Sequence, residues 1–479
     1  MDPERGNYQV TDLADLTASE LINLFSRKEA SPVEAVEACL KRIAAVEPEV
    51  NAIIYLAAEQ ALDQARESTR RFAQGGVRPL EGVPYGLKDV IATAGVATTG
   101  GSKLYRDHVP GEDAVINARL AEAGAILLAK LQTAEMACGS QTSEQYDGRM
   151  VRNPWDISRT SGGSSSGSGA AVGAREMPIA LGTDSGGSTR HPAAFCGVYG
   201  LKPTHGRVPR HGVMQVSWTM DEACPMARSV EDVARVLEVI AGSDPRDPRS
   251  HPAPIPHYVD AVTHSIKGLR IGRIRALEDR LHPKVLATFE AGLGVLSDAG
   301  AVVVDVDIPS IHLGETCLWL TVIGEFSSSH ELHFPTIEER DELYASLLQA
   351  SAFISLQDYL RALRVRVLIQ REVEAAFEHC DALAAPSMPS VAPLIEDMLC
   401  DLGTEKVPLL SVAGRTHAVF TVTGNPALAV PAGFIDGLPV AFQLIGRPYD
   451  EETVFKLAAA FERATDYRNM LPPILTKAS

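Results

Sequence analysis

From about residue 82 onward, short apolar runs of strand length alternate with longer runs of helical periodicity, and no other feature restricts the fold as much. Stretches 125–129, 179–181, 269–274, 302–306 and 441–445 are apolar, as strands covered on both faces are. Stretches 113–122, 230–240, 284–296, 356–378 and 451–464 repeat their apolar residues at helical spacing. Such alternation points to an α/β arrangement, a sheet with helices packed on both faces. The first eighty residues read as helices instead. Leu21, Leu24 and Phe25 share a face, and Ser31-Pro32 opens a second run with an N-cap serine and a proline at the first helical position. Five prolines within 243–257 exclude a continuous element there and mark a surface crossover.

At 479 residues the chain could hold roughly two to four domains, or one large α/β unit with insertions. The proline-rich crossover is too short for a free tether, so a single unit over residues 1–479 is expected, with a helical segment 1–80 and an inserted lobe at 308–400. A hydrophobic share of 45% against 22% charged residues excludes disorder as the default. The net charge of −17 argues against nucleic acid and membrane surfaces as partners, because both are bound by clustered lysines and arginines. No run approaches the roughly 18 to 20 apolar residues of a membrane helix. The leading MDPERGNYQV lacks the basic-then-apolar pattern of a secretory signal, so a cytoplasmic location is expected. Cys39, Cys138, Cys196, Cys224, Cys317, Cys380 and Cys400 are far apart with no C-x-x-C, which suits reduced, buried thiols and neither a disulfide framework nor a structural zinc. No motif sets the oligomeric state; a homodimer is the commonest arrangement among soluble oligomers.

The segment from Ser161, SGGSSSGSGAAVGA, has a linker's composition but runs directly into an apolar helix and a buried-strand pattern. Successive glycines can turn backbone N–H groups toward one point, so the segment reads as the wall of a site for an anion or a developing oxyanion. Gly163-Ser164-Ser165-Ser166-Gly167 formally matches the G-x-S-x-G nucleophile elbow, yet no apolar strand precedes it. Gly167-Ser168-Gly169 with Gly173 is a loosened dinucleotide fingerprint inside a polar loop, and no Gly-Lys-Ser/Thr of a phosphate loop is present.

The combination of Gly162-Gly163-Ser164-Ser165-Ser166-Gly167-Ser168 with Gly182-Thr183-Asp184-Ser185-Gly186-Gly187-Ser188-Thr189-Arg190 resembles the signature of the amidase signature family. Gly82-Val83-Pro84-Tyr85-Gly86-Leu87-Lys88-Asp89 upstream, Arg152-Asn153-Pro154-Trp155-Asp156 before the serine loop, and Gly200-Leu201-Lys202-Pro203-Thr204 after it stand in the family's order. Gly424-Asn425-Pro426-Ala427-Leu428 and Leu444-Ile445-Gly446-Arg447-Pro448 extend the resemblance toward the C-terminus. It implies a mixed, largely parallel twisted sheet covered by helices on both faces, with a catalytic core at 82–242 and a variable, substrate-covering lobe at 308–400.

The resemblance further implies a Ser-Ser-Lys triad: Ser188 as nucleophile, Ser164 as bridging serine after a cis peptide bond, and Lys88 as base. A lysine serves as base near neutral pH only where burial or nearby positive charge depresses its pKa, and Lys88 lies among Val83, Tyr85, Leu87, Val90 and Ile91. Backbone N–H groups of Ser185, Gly186, Gly187 and Ser188 would form the oxyanion hole. Ser165, Asp184 and Arg190 would support the loops, and His191 would be structural or pocket-lining. Family members often carry glycine where this chain has Ser166. No metal or organic cofactor is implied. His330 and His333 in His-Glu-Leu-His fall one residue short of a zinc-binding H-E-x-x-H and read as a solvated helix face.

Pocket walls in the family imply Met136, Cys138, Gly139, Gln141, Met214 and Trp218 as substrate contacts here, with Leu318, Trp319 and Ile323 from the variable lobe. This apolar set favours a small neutral amide, aryl or aliphatic, with esters, anilides, carbamates and ureas open to the same attack; the activities implied are those of an amidase, an aryl acylamidase or a urethanase. A carbamate- or urea-specific hydrolase is one alternative. The other is the glutamine-hydrolysing subunit of a tRNA-dependent amidotransferase, in which an acidic residue holds the glutamine amino group. This chain has Ala418 at that place, and a buried ammonium without a carboxylate is costly, which disfavours glutamine.

Overall fold

An eleven-stranded sheet runs through the computed structural model of the chain, which describes residues 12–139, 148–330, 340 and 342–477. In spatial order its strands are Ile53–Leu56, Ile126–Leu131, Pro84–Lys88, Ile179–Asp184, Glu222–Ala227, Tyr199–Lys202, Ala427–Ile435, Leu438–Ile445, Ala382–Pro386, Arg270–Ile274 and Val302–Val306. The sheet is mixed. Pro84–Lys88 pairs in parallel with Ile126–Leu131 and Ile179–Asp184, and Arg270–Ile274 with Val302–Val306 and Ala382–Pro386. Antiparallel pairs join these two sets through the middle.

Alternation along single strands separates the two cores. Ile179 and Leu181 enter one apolar cluster, together with Tyr85 and Leu87, while Ala180 enters the other with Ile126 and Leu128. Helices Val230–Ile240 and Glu451–Arg463 supply Val233, Leu237, Phe455 and Phe461 to the first cluster. Helices Pro32–Val50 and Ser166–Gly173 supply Val36, Val46 and Ala170 to the second. Burial on both faces is what makes these strands apolar throughout. Ser31 caps Pro32–Val50 reciprocally with Glu34, with the proline at the first turn as its sequence indicates.

The structure corrects the sequence reading in three places. The first eighty residues are not helices alone: Ile53–Leu56 pairs antiparallel with Ile126–Leu131 and forms one edge of the sheet. Four residues are too few for periodicity to distinguish a strand from a helix end. The stretch 308–400 is not wholly a lobe, because Ala382–Pro386 returns to the central sheet between Leu438–Ile445 and Arg270–Ile274. His330 does not face solvent; it is buried against Phe326 and Tyr344, with Nε2 2.9 Å from the Gln215 carbonyl. His333 lies outside the described residues.

All seven cysteines are buried. No helix among the described residues is long and apolar enough to cross a membrane.

Candidate active site

Two neighbouring parallel strands end side by side and carry the groups that matter. Lys88 is the last residue of Pro84–Lys88, and Thr183 and Asp184 end Ile179–Asp184. The loop after Asp184 carries Ser188 and leads into the helix Arg190–Cys196. The Gly/Ser loop lies against it: Ser165 donates its N–H to the Ser188 carbonyl at 3.1 Å, and the Ala134 N–H reaches the Ser164 carbonyl at 3.2 Å. Close approach explains the glycine at 167. A Cβ there would come within 2.5 Å of the Ala52 carbonyl oxygen and of the Gln132 nitrogen. The Gly163–Ser164 peptide is cis.

Lys88 is fully buried, and its Nζ lies 2.7 Å from Ser164 Oγ and 2.8 Å from Thr183 Oγ1. Burial pushes its pKa from 10.5 down to about 7, against the weaker pull of Cys224, Asp221 and Asp184. A second buried lysine shows the contrast. Lys130 is ion-paired to Asp89 at 3.1 Å and also donates to the Ile91 carbonyl and to Thr98, so its charge is compensated. Lys88 instead faces two hydroxyls that can accept a hydrogen bond or give up a proton. Thr183 escaped the sequence reading, although it stands inside the same signature loop.

Asp184 and Arg190 form a fully buried bidentate pair, with both N···O distances 3.0 Å. Arg190 also donates to Thr421 Oγ1 at 2.9 Å and to the His417 carbonyl at 3.3 Å, tying the loop to the helix Ala418–Thr423. The guanidinium holds the Asp184 carboxyl well below the usual carboxylate range despite its burial. Asp184 accepts the Gly187 N–H at 2.7 Å. Of the four N–H groups expected to form an oxyanion hole, that of Gly187 is therefore engaged, while those of Ser185, Gly186 and Ser188 take no partner among the described residues. Ser165 Oγ donates to the Thr183 carbonyl and accepts the Thr183 N–H, fastening the serine loop to the strand end. Ser185 Oγ donates to the buried Asp221 at 2.5 Å.

Ser188, Ser185, Gly186 and Gly163 line a cavity of about 60 Å³ with Cys138, Gly139 and His191. Its far wall is apolar, from Leu318, Trp319, Val322, Leu347 and Leu410. Among the described residues no carboxylate, ammonium or guanidinium lines it. Of the expected wall residues, Cys138, Gly139, Leu318 and Trp319 lie there, with Val322 in place of Ile323. Met136 and Met214 do not; both sulfurs pack at Gly100 instead. Trp218 is also absent from the wall, half exposed with the Arg249 guanidinium across its ring. Helical and loop spacing cannot tell which face of such a segment meets a cavity. Gln141 lies outside the described residues. Three larger cavities, of about 230, 510 and 720 Å³, each have a charged residue in the lining and contain none of these groups.

The chain is similar to known proteins over nearly its whole length. The family model described as Amidase matches residues 34–455. A curated relative from Roseiflexus sp. (strain RS-1), named as a subunit of glutamyl-tRNA(Gln) amidotransferase, is 40% identical over 97% of this chain and 99% of its own length. A bacterial aryl acylamidase belonging to the amidase signature enzymes superposes with a TM-score of 0.86 at 26% identity, covering 95% of this chain and 98% of its own. A structure of a vestigial complex, reported as revealing the origins of an s-triazine catabolic enzyme, reaches 0.89 at 31% identity over 94% of this chain and 98% of its own.

The relatives overturn one inference from composition. Proteins named for a tRNA amidotransferase match nearly the whole chain, so the −17 charge does not exclude nucleic acid among its partners. Net charge is a sum over the surface and describes neither a local patch nor an assembly.

Proposed function

The chain belongs to the amidase signature family, whose enzymes act on C–N bonds, and from that premise we propose that it hydrolyses small neutral amides through an acyl-enzyme on Ser188. Neutral Lys88 takes a proton from Ser164, which takes one from Ser188 as its Oγ attacks the carbonyl. The N–H groups of Ser185, Gly186 and Ser188 receive the oxyanion. Ser164 returns a proton to the departing amine, and water then releases the acyl group by the same relay. The contact from Lys88 to Ser164 at 2.7 Å, on an ammonium whose pKa burial lowers to about 7, supports the base assignment.

The observation that carries the substrate reading is the uncharged cavity wall beside Ser188. A charged amino-acid head group would lose its hydration there without an ionic partner among the described residues. Ala418, at the place where the glutamine-hydrolysing amidotransferase subunit is expected to carry an acidic residue, is buried and uncharged. A second reading, the glutamine-hydrolysing subunit of a tRNA-dependent amidotransferase, is favoured by the relatives' names more directly than the first. A hydrolysis panel separates the two: glutamine, an aliphatic amide, an anilide, an aryl carbamate and a urea. Turnover of neutral substrates with glutamine slowest supports the first reading, provided Ser188→Ala abolishes it. Glutamine as the fastest substrate, or co-purification with further subunits, overturns it in favour of the second.

A further inference from the structure

Asp221 lies outside the signature loops, yet it reaches the one that carries the nucleophile. It directly precedes the strand Glu222–Ala227 and is buried. Its carboxylate accepts the Ser185 hydroxyl at 2.5 Å, the Val216 N–H at 2.8 Å and the Ser217 N–H at 3.0 and 3.1 Å. Among the described residues that carboxylate takes part in no ion pair. Arg210 donates instead to the Asp221 backbone carbonyl at 3.1 Å and pairs with Asp247. A buried carboxylate held by hydrogen bonds alone costs the fold more than an apolar side chain of its size, so stability does not account for it. Both ends of the contact face the site, because Ser185 and Val216 line the cavity beside Ser188.

The stretch between Asp184 and Ser188 has few other holds. Gly186 and Gly187 carry no side chain, and the Gly187 N–H is taken by Asp184. Ser185 alone in this stretch can be anchored by a side chain, and Asp221 takes its hydroxyl. It also begins the run whose N–H groups at 185, 186 and 188 are open among the described residues. Such a donor is worth most at hydrogen-bond distance from the developing oxyanion, and a displacement of about 1 Å forfeits much of it. Asp221 is itself held in place. Ser217 donates its hydroxyl to Glu325, which also accepts the Thr219 N–H and the Tyr359 hydroxyl, both at 2.9 Å. Glu325 shares a face of the helix Gly314–His330 with Leu318 and Val322 of the cavity wall, so one bridge sets wall and loop in register.

We propose that Asp221 is a positioning residue for the reaction: by holding the Ser185 hydroxyl it aims the open N–H groups of Ser185 and Gly186 at the carbonyl oxygen as that oxygen becomes an anion. This rests on the reading of Ser188 as the nucleophile and of these N–H groups as its oxyanion hole. Asp221 acts through Ser185 and takes no part in the bonds made and broken at the carbonyl. The Ser185 hydroxyl, committed to a carboxylate, serves as the anchor of the loop and not as a second nucleophile.

The test measures kcat and KM on the full chain with glutamine, propionamide, acetanilide, methyl N-phenylcarbamate and phenylurea. For each of these that the wild type hydrolyses, Asp221→Asn and Ser185→Ala should lower kcat and kcat/KM alike, by about ten- to a hundredfold, with KM nearly unchanged, as loss of an interaction made in the transition state does. Ser185→Thr, which keeps the hydroxyl, should retain most of the rate. In the Ser185→Ala background Asp221→Asn should cost much less than in the wild type, because both changes remove one contact. Unchanged kcat in both variants, an effect confined to KM, additive falls, or a threonine variant no better than alanine overturns the inference and leaves the hydrolase reading standing. If Asp221→Asn does not fold, the comparison of Ser185→Ala with Ser185→Thr decides by the same criteria. A wild type that hydrolyses none of the five overturns the hydrolase reading and the inference with it.

Discussion

Replacing Lys88 with methionine should abolish hydrolysis and at the same time stabilise the fold at neutral pH. The lysine is fully buried, and burial lowers its pKa from 10.5 to about 7. At about 1.4 kcal/mol per unit, this costs the native state on the order of 5 kcal/mol wherever the folded and unfolded chains both hold the proton. Methionine has similar length and removes that cost, but forfeits the hydrogen bonds to Ser164 and Thr183. Those two bonds are worth about 1–3 kcal/mol together, so a net gain of about 2–4 kcal/mol remains. The sign follows from the depressed pKa. Between about 7 and 10.5 the unfolded chain binds more protons than the folded one, so stability rises with pH there. The cost is fully present below about pH 7 and gone above 10.5. Urea denaturation of wild type and Lys88→Met at about pH 6 and about pH 9.5 reads the difference directly. A variant advantage that shrinks toward alkaline pH is expected. A variant no more stable than wild type, an advantage independent of pH, or retained hydrolysis refutes the reasoning.

Three further outcomes follow from the same geometry. Where chemistry limits the rate, kcat/KM should reach half its plateau near pH 7, where Lys88 titrates, and fall about tenfold per unit below that; a flat profile across this range excludes Lys88 as the base. Asp184→Asn leaves the buried Arg190 without its carboxylate, which should cost about 3–5 kcal/mol in urea denaturation; an unchanged midpoint refutes the structural role of the pair. Gly187→Ala places a Cβ within 2.0 Å of His191 Nε2 at a φ of +123°, and acylation by an activated ester should slow about a hundredfold or more; an unaffected rate would show that the loop does not need this conformation.

The elements legible in the sequence were those whose local pattern repeats. Val230–Ile240 has the bounds its periodicity indicates, and Val302–Val306 those of its apolar run. Glu222–Ala227 was not legible, since Glu222, Cys224 and Pro225 interrupt any alternation and its pairing with Ile179–Asp184 is what makes it a strand. The site divides in the same way. Lys88, Ser164 and Ser188 stand in motifs that resemble the family's signature, and that resemblance is what singles them out. Met214 and Trp218 were expected on the cavity by segment alone, and Met214 turns to Gly100 while Trp218 turns toward Arg249.

The sequence by itself determined the family, the alternation that makes a sheet, and which serines and lysine stand where glycines allow a loop to close. Those are properties of order along the chain: a motif residue keeps its identity whatever packs around it. Only the tertiary structure decided which of three buried lysines faces the hydroxyls of the site, that Asp184 takes the Gly187 N–H, and that the His191 ring nitrogen is left unpaired among the described residues beside the nucleophile. Lys88, Lys130 and Lys202 are the same residue in the sequence. Burial together with a partner many residues away makes Lys130 half of an ion pair and leaves Lys88 facing two hydroxyls as a candidate base, while the buried Lys202 donates to the carbonyl of its neighbour Pro203.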